Sequence, residues 1–255
     1  MLGSIKRVAV LGLVSSATLL LAGSSASAFL PPPALDSFCE DFETGLPSGT
    51  LANQAAPGEL ISLASGNWHA VNLSAPIGST GVFESGGPSA PFLAQEGDFN
   101  AAMNFRNGSG TSDINAFFMS PVVTFDNGDS IKFWTRTVPQ SSFADRLHVV
   151  FSVAGPSVDA IDFPAVNRVL TINPELFASG YPGEWTMYVI NVDWAPTTLE
   201  GRFAFNYEVP NGGPLGENSN FIGIDSVCYH TAVIPEPAAV GLLAPAALVL
   251  ARRRR

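Results

Sequence analysis

The sequence predicts an all-β domain, two antiparallel sheets packed face to face. Three observations lead there. Apolar and polar residues alternate with a period of two in one stretch after another. No stretch of helical periodicity is long enough to cover a sheet. Turn formers punctuate the chain throughout, with 24 glycines and 20 prolines in 255 residues.

The elements follow in order. Phe38–Glu43, Trp68–Leu73, Asn100–Phe105 and Asn115–Phe125 are the first expected strands. In Ile131–Thr137, Ile131 and Phe133 face one way, Lys132 and Arg136 the other. Leu147, Val149, Phe151 and Val153 alternate with His148 and Ser152, which sets His148 outward. Val166–Ile172 comes next. Met187–Val192 is apolar in both directions and is expected to be buried on both faces. Phe203, Phe205 and Tyr207 alternate with Arg202, Asn206 and Glu208, and Phe221–Tyr229 closes the series. Asp126-Asn127-Gly128-Asp129 is expected as a hairpin turn between two strands. It carries a fragment of a calcium-loop pattern without the full spacing or the closing Glu. Asn211–Gly216 reads as a long mobile connection.

The two ends have another character. Lys6 and Arg7 precede an apolar stretch from Val8 to Ala22, and Ala26-Ser27-Ala28 is a small-x-small cleavage site. This is the order of a secretory signal cut after Ala28 by signal peptidase; the alternative is an N-terminal membrane anchor. At the other end Pro235-Glu236-Pro237 precedes the uncharged stretch Ala238–Ala251, and Arg252, Arg253, Arg254 and Arg255 follow. Fourteen residues make a helix of about 21 Å, against a bilayer core of about 30 Å. Pro245 weakens that helix further. The stretch is therefore a short hydrophobic helix suited to transient association with the inner membrane, its arginines held on the cytoplasmic side. The three parts together resemble the PEP-CTERM sorting signal of Gram-negative bacteria. The resemblance implies processing by an exosortase-type membrane enzyme and a cell-surface or extracellular-matrix destination in an organism that makes exopolysaccharide. The alternative is an ordinary tail anchor.

The domain layout is thus a signal peptide over 1–28, a linker over 29–35, a β-sandwich over 36–230, a linker over 231–234 and the sorting tail over 235–255. Outside the targeting segments stand six basic residues, Arg106, Lys132, Arg136, Arg146, Arg168 and Arg202, against 21 acidic ones, a balance near −15. So acidic a surface excludes nucleic acid as a partner and disfavours anionic lipid. It is compatible with divalent cations, and it also serves solubility. Cys39 and Cys228, near opposite ends of the domain, form a disulfide candidate in an oxidising compartment; two buried thiols are the alternative.

The first and last strands each carry acids among apolar residues: Glu40, Asp41 and Glu43 in one, Asp225 in the other. A buried carboxylate is costly unless paired or bound to metal. If the two cysteines meet, Glu43 and Asp225 meet near them. With Glu40 or Asp41 they would form a hard oxygen site suited to structural calcium. Surface acids at strand ends are the plainer alternative.

Four segments carry a second resemblance: Phe38–Glu43, Asn115–Val123, Gly201–Tyr207 and Phe221–Cys228. They resemble the choice-of-anchor J domain, a group similar to cleaved-adhesin and MAM domains. Phe42-Glu43 matches its aromatic-acid start, Met119-Ser120-Pro121 its middle strand, and Gly223-Ile224-Asp225 its end. Ser226 stands where that family usually has a second Asp, which weakens a bidentate acidic site. The resemblance implies a jelly-roll, often with structural calcium near the terminal strands, and no catalytic residues.

His69, His148 and His230 are the only histidines. None has metal-ligand spacing, and no nucleophile elbow is present. The favoured function is a non-catalytic surface or matrix protein acting in adhesion or exopolysaccharide association. The alternative is a carbohydrate-binding module that stacks sugars on exposed aromatics. Trp194 and Tyr181, beside prolines in turn-rich segments, are its candidate platforms, while Trp134 and Trp185 read as core. A secreted hydrolase is the least favoured reading.

Overall fold

The computed structural model describes residues 37–47 and 58–232. The signal sequence, the sorting tail with Pro235, Glu236, Pro237 and the four arginines, and the linker over 29–35 lie outside the described residues. Fourteen strands run in order: β1 Phe38–Glu40, β2 Glu59–Leu63, β3 Gly66–Asn72, β4 Ala75–Ile77, β5 Phe83–Gly86, β6 Phe99–Asn104, β7 Gly108–Met119, β8 Val123–Phe125, β9 Ser130–Thr137, β10 Leu147–Ser152, β11 Arg168–Ile172, β12 Thr186–Asn191, β13 Leu199–Gly212 and β14 Phe221–His230. Among the described residues there is no α-helix, only three single turns of 3-10 helix.

The strands form two antiparallel sheets. One has the order β12-β9-β14-β6-β5, with β1 added to β14. The other has the order β11-β10-β13-β7-β3-β2, with β4 on β7 and β8 on β13. The chain crosses between the sheets repeatedly, after β1, β4, β6, β8, β9, β11, β12 and β13, the jelly-roll-like winding expected of this class.

The core lies between the sheets. Ile131, Phe133, Ile222, Ile224 and Tyr229 come from one side, Trp68, Phe118, Val149, Phe203 and Phe205 from the other, all at 2% exposure or less. Aromatic rings dominate it: Trp68 stacks on Phe118 at 4.6 Å and Phe133 meets Phe205 edge-on at 4.9 Å. Two smaller clusters sit on the outer faces. Phe163 covers Val71, Phe117, Met119, Val150 and Ala204 on the second sheet. Phe92 covers Ala102 and Phe221 on the first.

These covers explain most departures from the alternation pattern. β10 is buried at all six positions, so His148 faces out of the sandwich but not into water. β12 is the reverse case. It is an edge strand, and Met187 and Val189 are 47% and 53% exposed rather than buried. Asp126–Asp129 does turn, with Asp129 N–H donating to Asp126 O at 3.1 Å. It makes no hairpin, because β8 pairs with β13 and β9 with β12 and β14. The turn is a corner that carries the chain across the sandwich. The Asn211–Gly216 connection is pinned: Glu217 and Asn218 both donate to Asn211 O, at 2.9 and 3.0 Å. β2, β4 and β5 have no strand expectation. β4 and β5 are only three and four residues long, too short for a period of two to register.

Candidate functional site

The first and last strands meet as direct neighbours. Cys39 and Cys228 are cross-strand partners in β1 and β14, and a disulfide joins them. Of the four acids expected around that junction, two converge and two do not. Glu40 turns inward. Its Oε1 accepts Phe42 N–H at 3.0 Å, and its Oε2 accepts Ser65 N–H at 2.9 Å and Ser65 Oγ–H at 2.6 Å. Asp41 is exposed and accepts only Glu43 N–H, at 3.3 Å. Phe42 adopts a left-handed backbone (φ 59°) that drives its ring into the core and aims Glu43 the other way.

Glu43 and Asp225 both reach the segment 95–99. Glu43 Oε1 accepts the N–H groups of Asp98 and Phe99 at 3.0 and 3.1 Å. Gly97 permits this twice over: its φ is +67°, and a Cβ there would lie 2.1 Å from Glu43 Oε1. Asp225 is 0% exposed. Its Oδ2 accepts Gln95 N–H at 2.8 Å and Glu96 N–H at 3.3 Å, and its Oδ1 accepts Ser226 N–H at 2.7 Å. Burial pushes its carboxyl up to about 7 against those three donors, and the charge of Glu43 adds to the rise. Beside this pair Asn100 is wholly buried, and both atoms of its amide lack a hydrogen-bond partner. Its neighbour Ala101 pairs with Ile224, which places Asn100 next to Asp225 across the sheet. Two carboxylates and an unpartnered amide oxygen are hard donors of the kind calcium takes. Glu43, Asp225 and Asn100 therefore offer the donor chemistry such an ion needs, and Glu40 and Asp41 are directed elsewhere. The only other metal-like group among the described residues is Cys39, Cys228 and His230, and its sulfurs are tied up in the disulfide.

The segment held by these carboxylates lies on the outer face of the first sheet. Gly223 makes that possible, since a Cβ there would meet Phe92 at 2.7 Å and Trp185 at 2.9 Å. Trp185 donates its indole N–H to Leu93 O at 3.0 Å. Alongside runs a groove of 350 Å³ lined by Asp41, Gln95, Glu96, Lys132, Trp134 and Ser226, with the disulfide at its side. Trp134, expected in the core, is half-buried on this outer face, because Phe133 takes the inward position. Nothing in the residue pattern marks Gln95, Glu96 or Asn100 as site residues. The segment before β6 has no periodicity, and only the acid inside the apolar run of β14 hints that something must cover it.

The two expected sugar platforms differ from expectation. Tyr181 is 4% exposed, and its hydroxyl hydrogen-bonds Thr135 Oγ1 at 2.7 Å, so its ring is core. Trp194 is half-buried, packed against Phe151 at 4.8 Å and Phe125 at 5.5 Å. It lines a 440 Å³ apolar cavity with Val153, Val166, Val169 and Leu199.

One histidine has triad-like neighbours. His148 Nδ1 lies 2.8 Å from Thr171 Oγ1, and its Nε2 lies 3.4 Å from Glu208 Oε2. Burial lowers the His148 pKa, the opposite of what a general base at neutral pH needs. His148 first, then Arg168 and Arg146, hold Glu208 down to about 2. His148 and Thr171 are register partners in β10 and β11, so the line braces two strands.

No family model matches the chain, and no curated protein matches it. Among solved structures it is similar to the K1 cleaved adhesin domain of Lys-gingipain from Porphyromonas gingivalis W83, at 16% identity over 77% of this chain and 98% of that one, with a TM-score of 0.45. The K2 cleaved adhesin domain of Lys-gingipain is similar at 15% identity over 77% and 98%, with a TM-score of 0.46. A carbohydrate-binding module solved with β-1,4-galactotriose, TmCBM61, is similar at 12% identity over 65% and 88%, with a TM-score of 0.39.

Proposed function

We propose that this chain is an exported, non-catalytic surface or matrix protein of a Gram-negative bacterium, processed at its Pro-Glu-Pro tail and acting in adhesion or exopolysaccharide association. The observation that carries this reading is the disulfide between the first and last strands. Such a bond persists in oxidising compartments, whereas cytosolic thiols are kept reduced. It agrees with the secretory signal before it and the sorting tail after it. Structural calcium at Glu43, Asp225 and Asn100 belongs to the same proposal: bound there, the ion neutralises the two carboxylates under segment 95–99.

The test is fractionation of the native cell with the full gene and with residues 235–255 deleted, plus intact mass of the recovered protein. The expected result is surface or matrix protein shortened at both ends, and release or retention in the wrong fraction on deletion. Reduced, unprocessed protein in the cytoplasm would end the proposal.

A further inference from the structure

We propose that the groove floored by Trp134 beside the Cys39–Cys228 disulfide binds a neutral pyranose unit of a polysaccharide. The inference rests on the matrix-association reading and gives that reading a site. Trp134 projects from β9 on the outer face, opposite Asp225 on one side and Met187 on the other. Its indole N–H has no hydrogen-bond partner among the described residues, nor does the Lys132 ammonium. Gln95 accepts Ser226 Oγ–H at 2.8 Å through Oε1, which leaves its amide N–H groups unclaimed. The carboxylates of Asp41 and Glu96 also line it. One aromatic face ringed by donors and acceptors matches the two aspects of a pyranose, an apolar C–H face and a rim of hydroxyls. The groove's 350 Å³ falls at the small end of ligand sites, about 300–1,000 Å³, the scale of a sugar unit and not of a protein footprint.

The charge selects the class of glycan. Asp41 and Glu96 outnumber Lys132 at the groove, and the mature domain carries six basic residues against 21 acidic ones. That field repels uronate-rich or sulfated chains. The site is also built by its neighbours. Asp225 and Glu43 fix the backbone of 95–99, which sets Gln95 and Glu96 at the rim.

The experiment is affinity electrophoresis of the exported, processed protein in native gels containing galactan, mannan or a β-glucan, with polygalacturonate as the anionic arm. Retardation by a neutral polysaccharide is expected, lost by at least about tenfold in Kd for Trp134→Ala, partly restored in Trp134→Phe and unchanged in Trp194→Phe. Because Trp134 is half-buried, Gln95→Ala is a second variant that leaves the sheet intact; a smaller loss in it supports the site. Retardation unchanged in both Trp134→Ala and Gln95→Ala overturns it. Retardation by polygalacturonate alone overturns the neutral class. No retardation in any gel, from protein that still fractionates with the matrix, overturns glycan binding and leaves the surface reading standing.

Discussion

The carboxylate of Asp225, buried in the last strand, accepts the backbone N–H of Gln95 at 2.8 Å, across 130 residues of sequence. Glu96 and Ser226 donate to the same group. In Asp225→Ala all three N–H groups lose their acceptor. Gln95 and Ser226 are half-buried and Glu96 is exposed, so each orphaned donor costs about 1 kcal/mol, and relief of the desolvated carboxylate offsets part of that. A net loss of about 2 kcal/mol is expected in urea unfolding, with faster amide exchange at Gln95 and Glu96. Unchanged exchange there would show that the segment is held by other contacts.

Calcium is checked on the same residues. Chelation is expected to lower the melting temperature, and added calcium to restore it. Asp225→Asn and Glu43→Gln are expected to abolish that response, and Asp41→Asn to leave it intact. A melt indifferent to chelator and calcium would remove the ion from the account.

Reduction of the Cys39–Cys228 bond opens a loop spanning 189 residues. Chain entropy puts the loss on the order of 5 kcal/mol. Denaturant unfolding with and without reductant measures it, and a thiol assay on unfolded, unreduced protein should find none free.

Asp145 is a second buried carboxylate, and its partners differ in kind. Tyr207 Oη–H and Thr137 Oγ–H donate to it at 2.6 Å each, and Asn220 N–H at 2.8 Å. Tyr207→Phe removes one donor from a wholly buried carboxyl group with no water to replace it, so a loss of about 2 kcal/mol is expected. Thr198→Val, which removes an exposed bond to Asp126, should stay within about 0.5 kcal/mol. Equal effects in the two variants would contradict the burial argument.

The pH dependence has a defined sign at His69. Burial first, then the charge of Arg202, lowers its pKa from 6.5 to about 4. The folded state therefore binds a proton less readily than the unfolded chain. Its share of stability is complete above pH 6.5 and is lost as pH falls from there towards 4. Unfolding titrations of the native protein and His69→Gln should diverge across that window and run parallel above it. Parallel curves throughout, or an NMR titration of His69 near 6.5, would contradict the shift.

Much of this was legible in the sequence. Alternation in 131–137 and 202–208 located two central strands, since a half-buried strand must repeat every second residue. The pairing of Cys39 with Cys228 was foreseeable from an even pair of cysteines near opposite ends of a domain expected to be exported, and the approach of Glu43 to Asp225 followed from that pairing. β12 deceived, because apolar residues in both directions do not reveal whether a neighbouring strand exists. Tyr181 deceived too: a proline neighbour suggests a turn but says nothing of which way the ring turns.

By itself the sequence determined the all-β class and the acids that must find partners. Those follow from local periodicity, composition and the cost of burying charge. Only the tertiary structure decided which partners they find. It sent Glu40 to Ser65, Asp225 to Gln95 and Glu43 to Asp98, and left Trp134 rather than Tyr181 at the surface. The reason is physical: a segment without periodicity, 87–98, folds over the outer face of the sheet, and its place is fixed by contacts 55 to 131 residues away in the chain.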